Sequence, residues 1–113
     1  MKAVNHTSGK ALADDLVLAN TLLRRMRGLL GRKALVCGEG LWIKPCKGVH
    51  TFGMRFPIDV VFLDQELRVI AVTQFLQPNR LTRIYINAAS VLELPSGTAE
   101  RTATVTGDRI SIK

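Results

Sequence analysis

At 113 residues, with 47% apolar and 22% charged side chains, the chain has room for one domain with a real core and none for two. A net charge of +7 favours an anionic partner. No helix-turn-helix pair, zinc finger or aromatic-studded RNA-binding strand accompanies it, which argues against nucleic acid.

The first fifteen residues, "MKAVNHTSGKALADD", lack the apolar core of an export signal. No later stretch approaches the roughly 18 apolar residues of a membrane helix. Cys37 and Cys46 do not have zinc-ligand spacing. They could bridge a hairpin, but free thiols in a cytoplasmic, bacterial protein are the expectation. No internal repeat or linker breaks the sequence, so residues 1–113 are expected to form a single domain.

In chain order, "KAVNHTSGKALADDLVLA" predicts two strands joined at Ser8-Gly9-Lys10. Asn20 or Thr21 can cap the helix that follows, since a side-chain oxygen can satisfy amides of the first turn. Within residues 21–32, Leu22, Leu23, Met26, Leu29 and Leu30 fall on one stripe, with Arg24, Arg25, Gly28, Gly31 and Arg32 opposite. Arg27 lies at the stripe's edge, where its head can reach inward to a structural partner. Beyond the helix the pattern changes to short apolar runs bounded by turn residues: "LWIKPC", "VHTFGM", "IDVVFLD", "LRVIAVTQFL", "ASVLELP", "TATVT" and "RISIK". The expected fold is therefore mainly β, α+β at the margin. It is a compact antiparallel sandwich or barrel of about seven to nine short strands with one amphipathic helix near residues 21–32. "IDVVFL", apolar on both faces, belongs at the centre of a sheet.

The chemistry concentrates in "CKGVHTFGMRFPIDVVFLD", residues 46–64. Strand alternation would put His50, Phe52, Met54 and Phe56 on one face. His50 would then be either a core histidine or a pocket-wall residue able to act as a general acid or base. Pro57 marks a corner before the buried strand. Asp59, on the face of Val61 and Leu63, needs a partner, and Arg55 or Arg27 could supply a bidentate one. Glu93 either points to solvent or joins Arg27, His50 and Asp59 in a polar cluster. Asp64 and Asp108 are expected in turns. No histidine pair has ligand spacing, and no nucleophile has an evident activating partner. Neither a metal nor a cofactor is expected.

"RMRGLLGR", "GLWIKPCKGVHTFGMRFPIDVVFLD", "VLELPSG" and "TGDRI", in this order and spacing, resemble the DUF192 family, also called UPF0127. The resemblance runs from about residue 15 to the end. Arg27, Gly28 and Leu29 match the family's helix motif; His50, Met54, Pro57, Ile58 and Asp59 match its central segment; Leu92–Leu94 and Gly107-Asp108 match its closing ones. It implies a small mainly-β sandwich or barrel with a short helix, and a loose association with secretion or pilus proteins. Members carrying tryptophan at the position of His50 speak against an essential general base. The leading expectation is a non-enzymatic domain, monomeric or weakly dimeric, that binds a small molecule or peptide. Its cleft would lie beside residues 49–59, lined by Arg27, Trp42, His50, Phe52, Met54, Asp59 and Glu93. A small hydrolase or lyase using Asp59 or Glu93 with His50 is the alternative. A third reading docks the basic helix face (Arg24, Arg25, Arg32, Lys33) on an acidic partner or nucleic acid.

Overall fold

The computed structural model describes residues 1–21, 24–25 and 28–113. Among them are eight strands: β1 (Ala3–Asn5), β2 (Ala11–Ala13), β3 (Asp15–Ala19), β4 (Glu39–Ile43), β5 (Ile58–Leu63), β6 (Val69–Leu76), β7 (Ser90–Pro95) and β8 (Ile110–Ile112). One short helix, α1 (Thr98–Arg101), follows β7. The strands form a three-stranded sheet, β2-β1-β8, and a five-stranded sheet, β3-β4-β7-β5-β6. The expected mainly-β sandwich is the fold.

β5 lies between β6 and β7, and all six of its residues are buried. Its run of apolar side chains follows from that position, because both faces of the large sheet are covered. Alternation divides the core in two. Ile58, Val60 and Phe62 of β5 join Val91 of β7 and Leu41 and Ile43 of β4 on one face, under Leu29, Met54 and Ala88. Val61 and Leu63 join Leu92 and Leu94 on the other, against Ala3, Leu12 and Ile110 of the small sheet. One layer is thus sheet on sheet, and the other is sheet covered by residues 28–35 and 45–56.

Three details differ from the sequence reading. The second predicted strand breaks at Asp14, where the amides of Asp14 and Asp15 both donate to the Gly38 carbonyl; its halves, β2 and β3, enter different sheets. β3 and β4 run parallel, so the large sheet is mixed rather than wholly antiparallel. The connection through residues 20–38 is long enough to return the chain in the same direction. It contains a helical turn at Arg24–Arg25, with the Thr21 hydroxyl accepting from the Arg24 amide at 3.2 Å as the cap predicted there. Leu22, Leu23, Met26 and Arg27, which completed the predicted stripe, lie outside the described residues.

"VHTFGM" and "TATVT" form no strand. In the first, Met54 N–H closes a turn onto the Thr51 carbonyl, and Gly53 N–H donates to Asn79 Oδ1. The buried Thr51 hydroxyl donates to the Gln77 carbonyl at 2.6 Å and accepts from the Arg80 amide. In the second, the Thr102 hydroxyl donates back to the Thr98 carbonyl. Asn5 Nδ2 donates to Thr104 Oγ1 and Asp108 Oδ2. Short polar side chains here satisfy backbone and one another across the fold, and the only pairing of "VHTFGM" among the described residues is a brief antiparallel one with residues 80–85 centred on the His50–Leu81 bridge.

Candidate functional site: a cavity floored by Glu93

β7 alternates Val91 and Glu93 towards one face with Leu92 and Leu94 towards the other. Glu93 is therefore directed into the layer covered by loops. Only 3% of it is exposed. It lines a cavity of about 330 Å³ whose apolar walls are Ile43, Leu29, Leu30, Val49 and Met54. Arg25, Cys46, Lys47 and His50 add polar groups to the same lining. Gly28 passes directly over the acid: a Cβ there would stand 3.8 Å from Glu93 Oε1. Its φ of +48° explains the glycine, since side-chain-bearing residues rarely adopt that backbone.

Glu93 Oε1 is buried and takes no hydrogen bond from any of the described residues. Desolvation lifts its carboxyl pKa from 4.5 to about 7, so the group is poised between acid and anion near neutral pH. Arg25 Nη1 donates to the Pro45 carbonyl at 3.2 Å, while its buried Nε has no partner among the described residues. Among the described residues the one ion pair joins Arg32 and Glu39 at the surface. Two buried groups of opposite polarity thus line one cavity without meeting each other. The Cys46 thiol donates to the Gly48 carbonyl at 3.2 Å, and burial raises its pKa. It is a neutral thiol, not an activated nucleophile.

The predicted site residues separate. Glu93, His50 and Met54 line this cavity together; Arg27 lies outside the described residues. His50 is exposed in a loop instead of on a strand face. Its Nδ1 accepts from the Phe52 amide at 3.3 Å, and its ring stacks on the exposed Phe52 ring at 5.3 Å. Trp42 projects from the opposite face of β4, against the small-sheet core, with Lys44 Nζ 4.4 Å above its ring.

Asp59 also turns away from the cavity. Fully buried, it accepts the amides of Phe75, Gly97 and Ala99 at 2.9, 3.1 and 2.9 Å. Among the described residues backbone donors stand where an arginine from Arg55 was expected, and they fix α1 and β6 to the end of β5; Arg27, the other expected partner, lies outside the described residues. Asp108 is buried too, holding Asn5 and the Val105 amide. The sequence reading passed over Arg25 and Cys46 as cavity residues; Arg25 fell on the polar side of the helix and Cys46 looked like a strand end. No cluster of three His, Cys, Asp or Glu side chains able to hold a metal occurs among the described residues. Cys37 and Cys46 are unpaired.

A model of the DUF192 family, described as "Uncharacterized ACR", matches residues 3–112. The chain belongs to the DUF192 family. It is 32% identical over 110 residues to UPF0127 protein PH1112 of Pyrococcus horikoshii, covering 95% of each chain. It is 31% identical to UPF0127 protein PF1050 of Pyrococcus furiosus, covering 95% of this chain and 94% of that one. These archaeal relatives extend the family beyond the bacterial setting expected from the sequence. A Novosphingobium aromaticivorans crystal structure of unknown function superposes with a TM-score of 0.86 at 24% identity, covering 99% of this DUF192 chain and 84% of the other. A Sinorhizobium meliloti structure, named as a candidate transcription regulator, has a TM-score of 0.80 at 21% identity and covers 97% and 89%. At these identities the two structures share the DUF192 fold. The family description and the UPF0127 relatives' names carry no activity.

Proposed function

We propose that this DUF192 domain is a non-enzymatic binding module whose ligand enters the cavity above Glu93. One observation carries the reading: a carboxyl oxygen that is buried, unpartnered among the described residues and directed into a cavity with mostly apolar walls. Desolvating such a group without a hydrogen bond costs free energy that a scaffold position would avoid with an apolar residue. A ligand donor reaching Oε1 removes that cost, and an acceptor facing Arg25 Nε satisfies the second unpartnered atom. The ligand class is therefore a small molecule or peptide end with an apolar body and both kinds of polar group, such as an amino acid. The cavity sits at the small end of the range for ligand pockets. Two free cysteines suit a reducing compartment, and cytoplasmic binding is part of the proposal.

A thermal-shift series with small amines, carboxylates and amino acids tests this reading. Bifunctional compounds should raise the melting temperature of the wild type and leave Glu93→Leu unmoved. Equal shifts in both proteins, or none in either, would reject the cavity as the site. The carboxyl held near neutrality supports a second reading, general acid–base chemistry by Glu93 beside His50. Turnover of a hydrolase and lyase substrate panel that disappears in Glu93→Gln would favour it over simple binding.

A further inference from the structure

Residues 47–51 and 80–85 run antiparallel beside the cavity, joined by hydrogen bonds from Thr51 N–H to Arg80, Thr82 N–H to Val49 and Tyr85 N–H to Lys47. Lys47 Nζ clamps the end of this flap, donating to the carbonyls of Ile86 and Ala88 at 2.7 and 2.9 Å. Tyr85 turns inward and packs on Phe62 with ring centroids 4.5 Å apart. The flap is thus anchored to the core. Its outer side chains are nevertheless apolar: Leu81, Ile84 and Ile86 are 68%, 70% and 80% exposed, and Phe52 stands beside them, stacked on His50 opposite Leu81.

Charge is equally one-sided. Residues 47–53 carry Lys47 and residues 79–86 carry Arg80 and Arg83, with no acid in either strand of the flap; Asp64 and Glu66 border only its Ile86 end, where they line a pocket with Lys47. Arg80 and Arg83 are exposed between the apolar tips. A second copy meeting this face with its own flap would bring Arg80 and Arg83 against the same cations. Along residues 80–86 of the flap the exposed Arg80 and Arg83 alternate with the exposed Leu81, Ile84 and Ile86. That is the composition of an interfacial anchor: apolar groups enter the acyl boundary while arginines contact anionic headgroups.

We propose that the 47–53/79–86 flap docks this protein on an anionic lipid bilayer through Phe52, Leu81, Ile84 and Ile86, with Arg80 and Arg83 on the headgroups. The cavity behind the flap is thereby held at the membrane surface.

Vesicle co-sedimentation tests the assignment. The wild type should bind phosphatidylcholine vesicles containing phosphatidylglycerol and ignore pure phosphatidylcholine. Binding should weaken as salt rises. The triple variant Leu81→Ser, Ile84→Ser, Ile86→Ser and the double variant Arg80→Gln, Arg83→Gln should each bind about tenfold or more weakly, with thermal unfolding confirming that both fold. No binding by the wild type, or equal binding by wild type and triple variant, would overturn the proposal. So would a wild-type dimer in solution that the triple variant converts to monomer, since that assigns the face to a second copy.

Discussion

Between pH 4.5 and about 7, Glu93 releases its proton in the unfolded chain but keeps it in the folded one, because burial raises the folded pKa to about 7. The folded state then binds more protons, so this residue's contribution to stability falls as pH rises through that window and levels off above it. The total is on the order of 3 kcal/mol for a shift of this size. Glu93→Gln should match the wild type near pH 4 and exceed its stability at pH 8, as measured by urea unfolding at both values. Asp59 has a purely structural part. It accepts three backbone amides, so Asp59→Asn turns one acceptor into a donor facing donors. That substitution should lower unfolding stability by about 2–4 kcal/mol at neutral pH. The contrast was hidden in the sequence, where both acids stand among apolar neighbours in a strand pattern. What distinguishes them is the donors supplied by Phe75, Gly97 and Ala99, all distant in sequence or beyond the strand.

At the scale of elements, the central strand was legible because "IDVVFL" has no polar face to offer water, and β5 is buried along its whole length. The helix cap at Thr21 was legible from side-chain chemistry alone. The 46–57 segment was not, because its alternation imitates a strand while Thr51 and Asn79 fold it into turns. Nor could Trp42 and Glu93 be assigned faces, since β4 and β7 are covered on both sides and burial gives no direction. The parallel β3–β4 pair was hidden by the long intervening connection. Gly40 in β4 reports on how closely these elements pack. A Cβ there would meet Leu94 Cδ2 at 2.9 Å, Ala13 Cβ at 3.1 Å and Leu16 Cδ1 at 3.1 Å. Gly40→Ala should therefore destabilise the protein by about 1–3 kcal/mol through overpacking, read as a lower urea midpoint with an unchanged slope.

Across the whole molecule, the two faces of the large sheet have different tasks. One packs on the small sheet and is closed by buried polar networks at Asn5, Thr104 and Asp108. The other is covered by short segments that leave room above Glu93 and carry the basic, apolar-tipped flap outward. The net charge of +7 was legible as a bias towards an anionic partner, but the pairing of residues 47–51 with 80–85, which brings Lys47, Arg80 and Arg83 onto one flap, was not. The basic helix face considered from sequence is partly engaged within the chain, with Arg32 on Glu39 and Arg25 on the Pro45 carbonyl. The account's central claim is that the Glu93 cavity receives a ligand. Its most direct test is the Met54 methyl resonance, followed while a small bifunctional amine–carboxylate library is titrated into the wild type and into Glu93→Leu. The account predicts saturable shifts at Met54 and His50 in the wild type that vanish in the variant; a Met54 signal unmoved by every compound would contradict it.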